Sequence, residues 1–271
     1  MIKNLSFAAL LIAASIVWGA PQKPPQQDTL LEYEGDARLF VDLDQISLMA
    51  EAKGRIESID PDDSFRYRSL TVGAYWRLFP QLHLGGFYRI ASGATHSDDW
   101  IWPTVPEWFW QDTTRRPEHT IIGDITFRQT LPFIPGTWMA ELKSQYQFTY
   151  YHDDYQYFTE HDVYLHVIRL RPGVTTQLFL DGEPFALVYA NADMYIPINF
   201  KPQPFYAWYV YLGSLFTITD DIAAGPFIAY RNTAWVTSSD YKRAPTTDEY
   251  SVTHRSFNIG VSVVITLRPL E

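Results

Sequence analysis

The chain has 271 residues, a formal charge of -10, 46% hydrophobic and 16% aromatic residues, and no cysteine. An acidic chain is a poor nucleic-acid binder, and zero cysteine removes any disulfide framework or thiolate metal site. Beyond the N-terminal segment no run of about 18 apolar residues occurs, which excludes a bundle of spanning helices but not a barrel of spanning strands.

The N-terminus, MIKNLSFAALLIAASIVWGAPQ, places one cation, Lys3, before an apolar run from Leu5 to Trp18 and ends in small residues. This is the layout of a secretory signal peptide. Cleavage after Gly19 puts Val17 and Gly19 at the two small-residue positions, so residues 1–19 are expected to be removed. Residues 20–36 then read as a flexible lead that begins with the Pro-rich stretch Pro21 to Asp28, and residues 37–271 as one folded unit.

Period-2 alternation and turn punctuation mark ten strands: 45–59, 64–79, 82–91, 119–131, 137–151, 163–178, 185–199, 205–219, 222–232 and 252–267. No amphipathic helix of useful length competes with them. Residues 37–43 also alternate, but in the opposite phase to 46–56, so they are either a bulged extension of the first strand or a separate short strand. Pro172 makes the sixth strand the least regular. Connections alternate between long and short along the chain, which predicts short turns at one end of a barrel, long loops at the other, and both termini at the short-turn end.

The stretch TWMAELKSQYQFTYY, Thr137 to Tyr151, shows why a barrel is favoured over a soluble sandwich. Trp138, Ala140, Leu142, Tyr146, Phe148 and Tyr150 share one face, and Glu141, Lys143, Gln145, Gln147 and Thr149 the other. At ~3.4 Å per residue and a ~40° tilt, Trp138 to Tyr150 covers about 31 Å of height, the thickness of a bilayer core. Strands this long exceed the usual 5–6 residues of globular sheets. The expected fold is therefore all-β: a closed antiparallel up-and-down transmembrane β-barrel of 10 strands, with 12 as the alternative.

The last strand, SFNIGVSVVITL from Ser256 to Leu267, sets Phe257, Ile259, Val261, Val263, Ile265 and Leu267 on one face. It resembles the C-terminal signal strand of bacterial single-chain outer-membrane β-barrel proteins. The resemblance implies residence in the cell outer membrane, with outer-membrane lipids, lipopolysaccharide and the assembly machinery as partners, the last through the C-terminal strand. The strand departs from that pattern by continuing into Arg268-Pro269-Leu270-Glu271 instead of ending on an aromatic residue.

If the apolar faces meet lipid, the opposite faces form the lumen. They carry Glu51, Lys53, Arg55, Arg89, Asp124, Arg128, Glu141, Lys143, Arg169, Arg171 and Asp193, with Arg77 and Arg231. Charges in such a place must be paired or wet, which predicts a mixed-sign belt. Inward aromatics such as Tyr75, Phe87, Tyr189, Tyr195, Tyr209, Tyr211 and Phe227 predict a largely filled interior and a structural or surface-interaction role. The alternative is a narrow channel for small solutes, with the excess of basic lumen residues favouring anions.

The long loop at 92–118 holds Trp100, Trp102, Trp108 and Trp110, expected to fold over the mouth or to meet a partner. Arg115, Arg116, Arg66 and Arg68 are candidates for lipopolysaccharide phosphates. The acidic and histidine runs Asp60/Asp62/Asp63, Asp98/Asp99, His152/Asp153/Asp154 and Glu160/His161/Asp162 give a third reading, since ten strands with such residues at the rim are similar to the omptin proteases. Those enzymes place the residues at alternate positions of one strand, whereas here they are adjacent in loops, so no catalytic residue is assigned. No phosphate loop, structural zinc spacing or other cofactor motif is present, and no cofactor or metal is expected.

Overall fold

The computed structural model describes residues 30–57, 66–92, 98–101, 109–112, 118–151, 163–198, 207–234 and 253–268. Thirteen strands run in chain order: β1 Leu30–Leu43, β2 Ile46–Glu57, β3 Arg66–Phe79, β4 Leu82–Ser92, β5 Asp98–Ile101, β6 Phe109–Asp112, β7 Glu118–Thr130, β8 Thr137–Tyr151, β9 Val163–Leu180, β10 Glu183–Pro197, β11 Ala207–Thr219, β12 Ile222–Ala234 and β13 Thr253–Leu267. β5 and β6 form a separate two-stranded sheet, and the other eleven close into one barrel.

The ten expected strands correspond to β2 to β4 and β7 to β13. The count of ten, or twelve, is corrected to eleven by β1, an independent strand and not a bulged extension. β1 pairs antiparallel with β2 across the Asp44-Gln45 turn and parallel with β13, from Leu30↔Ser256 to Val41↔Leu267. A sheet of consecutive antiparallel strands closes on itself with an odd count only if one seam is parallel, and β1–β13 is that seam. Residues 30–36, expected in a flexible lead, thus belong to the sheet. The first strand starts at the long-connection end and the last finishes at the short-turn end, so the described chain does not begin and end on the same side. Residues 1–29 and 269–271 lie outside the described residues.

The five short turns gather at one end, and the Asp181-Gly182 hairpin shows how sequence sets them. Both residues have positive φ, 54° and 91°, as a two-residue type I′ turn requires. Pro172 is accommodated inside β9: it cannot donate to the ladder, and the pairing with β10 has no rung between Gly173↔Asn191 and Leu170↔Met194.

Alternation decides what each face meets. Ile121 is 61% exposed and its neighbour Ile122 5%. The buried set is largely polar (Glu32, Thr120, Asp124, Thr126, Gln145, Gln147, Asp193, Asn258), while the exposed set is large and apolar. Aliphatic residues such as Val72, Ile125, Val210, Leu212, Ile228 and Val261 occupy the middle of the outer face. Aromatics flank them: Trp76, Phe79, Phe127, Phe133, Phe179 and Phe216 toward the short turns, and Tyr88, Tyr146, Tyr164, Trp208 and Phe257 toward the long connections. Inside, aromatic rings are seated on glycine: a Cβ at Gly213 or Gly260 would collide with Phe227, and one at Gly73 or Gly85 with Phe87.

Candidate functional site: the charged lumen

The lumen is the place where chemistry-bearing side chains converge, because every second residue of eleven strands points into it. At mid-height Asp193 of β10 is fully buried between two arginines of β9. Arg169 donates from Nε and Nη2 to its carboxylate at 2.9 and 2.8 Å, and Arg171 does the same at 2.7 and 2.7 Å. Two bidentate forks on one carboxylate satisfy its lone pairs and leave one positive charge in excess. Arg169 Nη1 continues to Gln145 Oε1 at 3.0 Å, and Gln145 Nε2 donates to Asp124 at 2.7 Å. Asp124 also accepts from Thr126 at 2.7 Å and lies 3.4 Å from Lys143, whose ammonium donates to Tyr75 Oη on β3 at 2.9 Å.

A second network lies on the seam. Glu34 of β1 receives both Lys53 of β2 and Arg231 of β12. Glu32 accepts from Ser256 Oγ at 2.8 Å and pairs with Arg55 at 3.4 Å, and Asp36 accepts from Arg38 at 3.0 Å and from Ser262. Tyrosine rings connect the two networks. The Arg171 guanidinium lies 5.7 Å from the Tyr211 ring, and Arg231 lies 5.8 Å from the same ring and 5.1 Å from Tyr209. Such cation–π contacts are worth more where water is scarce. Nearer the short turns, Arg128 pairs with Glu141 at 2.7 Å.

Between these side chains remains a cavity of about 700 Å³. Its lining runs from Asp42, Arg77 and Arg128 near the short turns to Glu118, Thr149 and Ser256 near the long connections. Glu51, Lys53, Arg55, Arg89, Arg128, Glu141, Lys143, Arg169 and Arg171 all line it, whereas Asp124 and Asp193 are buried in the wall beneath their partners. Glu51 of β2 adds a further carboxylate to this lining.

The structure also supplies lumen residues that the sequence reading left out. Glu32, Glu34, Asp36, Arg38 and Asp42 all come from β1. Four acids against one cation offset most of the basic excess counted on the other strands. The signal for them was the phase of residues 37–43: a two-residue turn pairs Leu43 with Ile46, so inward positions must change parity across it. The opposite phase is therefore what a hairpin demands.

Of the tryptophan cluster, Trp100 and Trp110 are backbone partners in the β5–β6 pair, and Trp102 and Trp108 lie outside the described residues. Arg68 is exposed on the outer face of β3; Arg115 and Arg116 lie outside the described residues. The acidic and histidine runs at 60–63 and 152–162 lie outside them as well.

No family model, curated protein or solved structure matches the chain. What fold and lumen define is a class: an all-β protein closed into an eleven-stranded barrel around a polar, ion-paired interior.

Proposed function

We propose that the protein is an outer-membrane β-barrel whose lumen is a narrow, wet, charge-lined passage for small polar solutes. The observation that carries this reading is the cavity of about 700 Å³ whose lining extends from the short-turn end to the long-connection end, inside a wall whose outer face is apolar. Its size falls in the range of small-molecule sites. The membrane part of the reading rests on the outer face. A continuous apolar band of this extent is rare on soluble monomers, and aliphatic residues flanked by aromatic girdles suit a bilayer with its two interfaces. Strands of 11 to 18 residues are long enough to span one at a ~40° tilt. Lipid and lipopolysaccharide are then its surroundings, and β13 is the segment offered to the assembly machinery.

A second reading, a braced barrel with a structural or surface role, is favoured by the ties that cross the lumen, above all Lys143 to Tyr75 and the double fork on Asp193. Planar-bilayer recording of the refolded chain separates the two. Small, discrete conductance steps are expected from a passage. A membrane that stays silent while folded protein is demonstrably inserted would leave only the braced barrel.

A further inference from the structure

Most cations of the lumen are matched to a carboxylate, and Arg89 of β4 is not. Its Nη2 donates to Thr120 Oγ1 at 3.2 Å, its Nε is buried without a hydrogen-bond partner, and among the described residues no carboxylate lies within ion-pair distance of it. Arg169, which already shares Asp193 with Arg171, and the phenols of Tyr67 and Tyr195 face the same cavity, to which Arg89 adds a further positive charge. A guanidinium cannot escape this by losing its proton. All four side chains line the cavity.

We propose that Arg89, with Arg169 as a second cation and Tyr67 and Tyr195 as walls, forms a subsite for the oxyanion, carboxylate or phosphate, of a small solute. An oxyanion is the complementary group for two reasons. It can accept from a guanidinium in fork geometry, and it supplies the counter-charge that no described carboxylate provides at ion-pair distance. The inference deepens the reading of the lumen as a passage by naming the solute class, and it rests on that reading for its physiological meaning. Binding itself is measurable without conduction.

The test is calorimetric titration of the refolded chain in detergent micelles with inorganic phosphate and with acetate, at ionic strength held constant by sodium chloride. Saturable binding is expected, weakened about tenfold or more in Arg89→Gln, as for loss of a charge-assisted hydrogen bond. Arg255→Gln, on the exposed outer face of β13, should bind as the parent does. If Arg89→Gln does not refold, Arg89→Lys serves: reduced affinity supports the fork, and parental affinity overturns it. Absence of saturable binding, or parental affinity in Arg89→Gln, also overturns the subsite. Conductance without binding would remove the subsite and leave the passage, while binding without conductance would remove the passage and leave the subsite.

Discussion

At the scale of single residues, burial and not charge determines which ion pairs hold the barrel together. Asp193 is fully buried and engaged by two guanidinium forks, so Asp193→Ala leaves two facing cations without a counter-charge. Removing one partner of a buried pair typically costs about 3–5 kcal/mol. Urea unfolding in micelles should show that loss for Asp193→Ala. Arg128 and Glu141 form an equally short pair, but their side chains are 39% and 19% exposed. Arg128→Ala should cost under about 1 kcal/mol, in line with wet ion pairs. Equal losses at the two sites would mean that the lumen is uniformly dry, against the cavity described above. Gly260 acts by absence instead: a Cβ there would fall on the Phe227 ring and 2.7 Å from the Glu34 carbonyl. Gly260→Ala should therefore destabilise the barrel although it adds a single methyl group, and Phe227→Leu in the same chain should recover part of the loss.

At the scale of elements, β1 is where the sequence was hardest to read. The ten strands from β2 onward were legible because each keeps a mainly apolar face at alternate positions, and the Asp193, Arg169 and Lys143 side of the lumen followed from the same parity. β1 begins with LLEYEGDA, in which Gly35 and Ala37 dilute the outward face and the inward face is acidic, so its signal resembles a solvated lead. Its stability comes from partners on other strands: Arg231, Ser256 and Ser262 far away in sequence on one side, Lys53 and Arg55 across the first hairpin on the other. No local propensity announces these, and neither does parallel pairing with the last strand. The seam can be tested with cysteines, which the native chain lacks. In the register Ala37↔Val263, an Ala37→Cys/Val263→Cys chain should cross-link on oxidation or with a short thiol reagent. Ala37→Cys/Leu267→Cys, displaced by about 13 Å along the strand at ~3.3 Å per residue, should not. Cross-linking in the displaced pair alone would refute the parallel register.

At the scale of the whole molecule, the odd strand fixes a geometry that an even barrel forbids. An even antiparallel barrel returns the chain to the end where it started. With β1 added, Leu30 lies beside Ser256 at the long-connection end, while Leu267 lies beside Val41 at the short-turn end. The first residue of β1 and the last of β13 therefore lie at opposite ends of the barrel. In a membrane, that places them on opposite sides. The same strand alters the electrostatics, because its acids convert a lumen that reads as basic from the other ten strands into one nearer balance, with Asp193 and Glu34 each shared by two cations. Topology and charge thus depend on one element. Side-selective labelling checks the first directly: with a membrane-impermeant maleimide on intact cells or oriented vesicles, Asp220→Cys in a short turn and Arg255→Cys at the opposite rim should react from opposite sides. An epitope inserted ahead of Leu30 should be accessible from the Arg255 side. Accessibility from the Asp220 side would mean that β1 is not seated between β2 and β13 in the membrane, and the lumen would then lose the carboxylates of Glu32, Glu34 and Asp36 together with the strand.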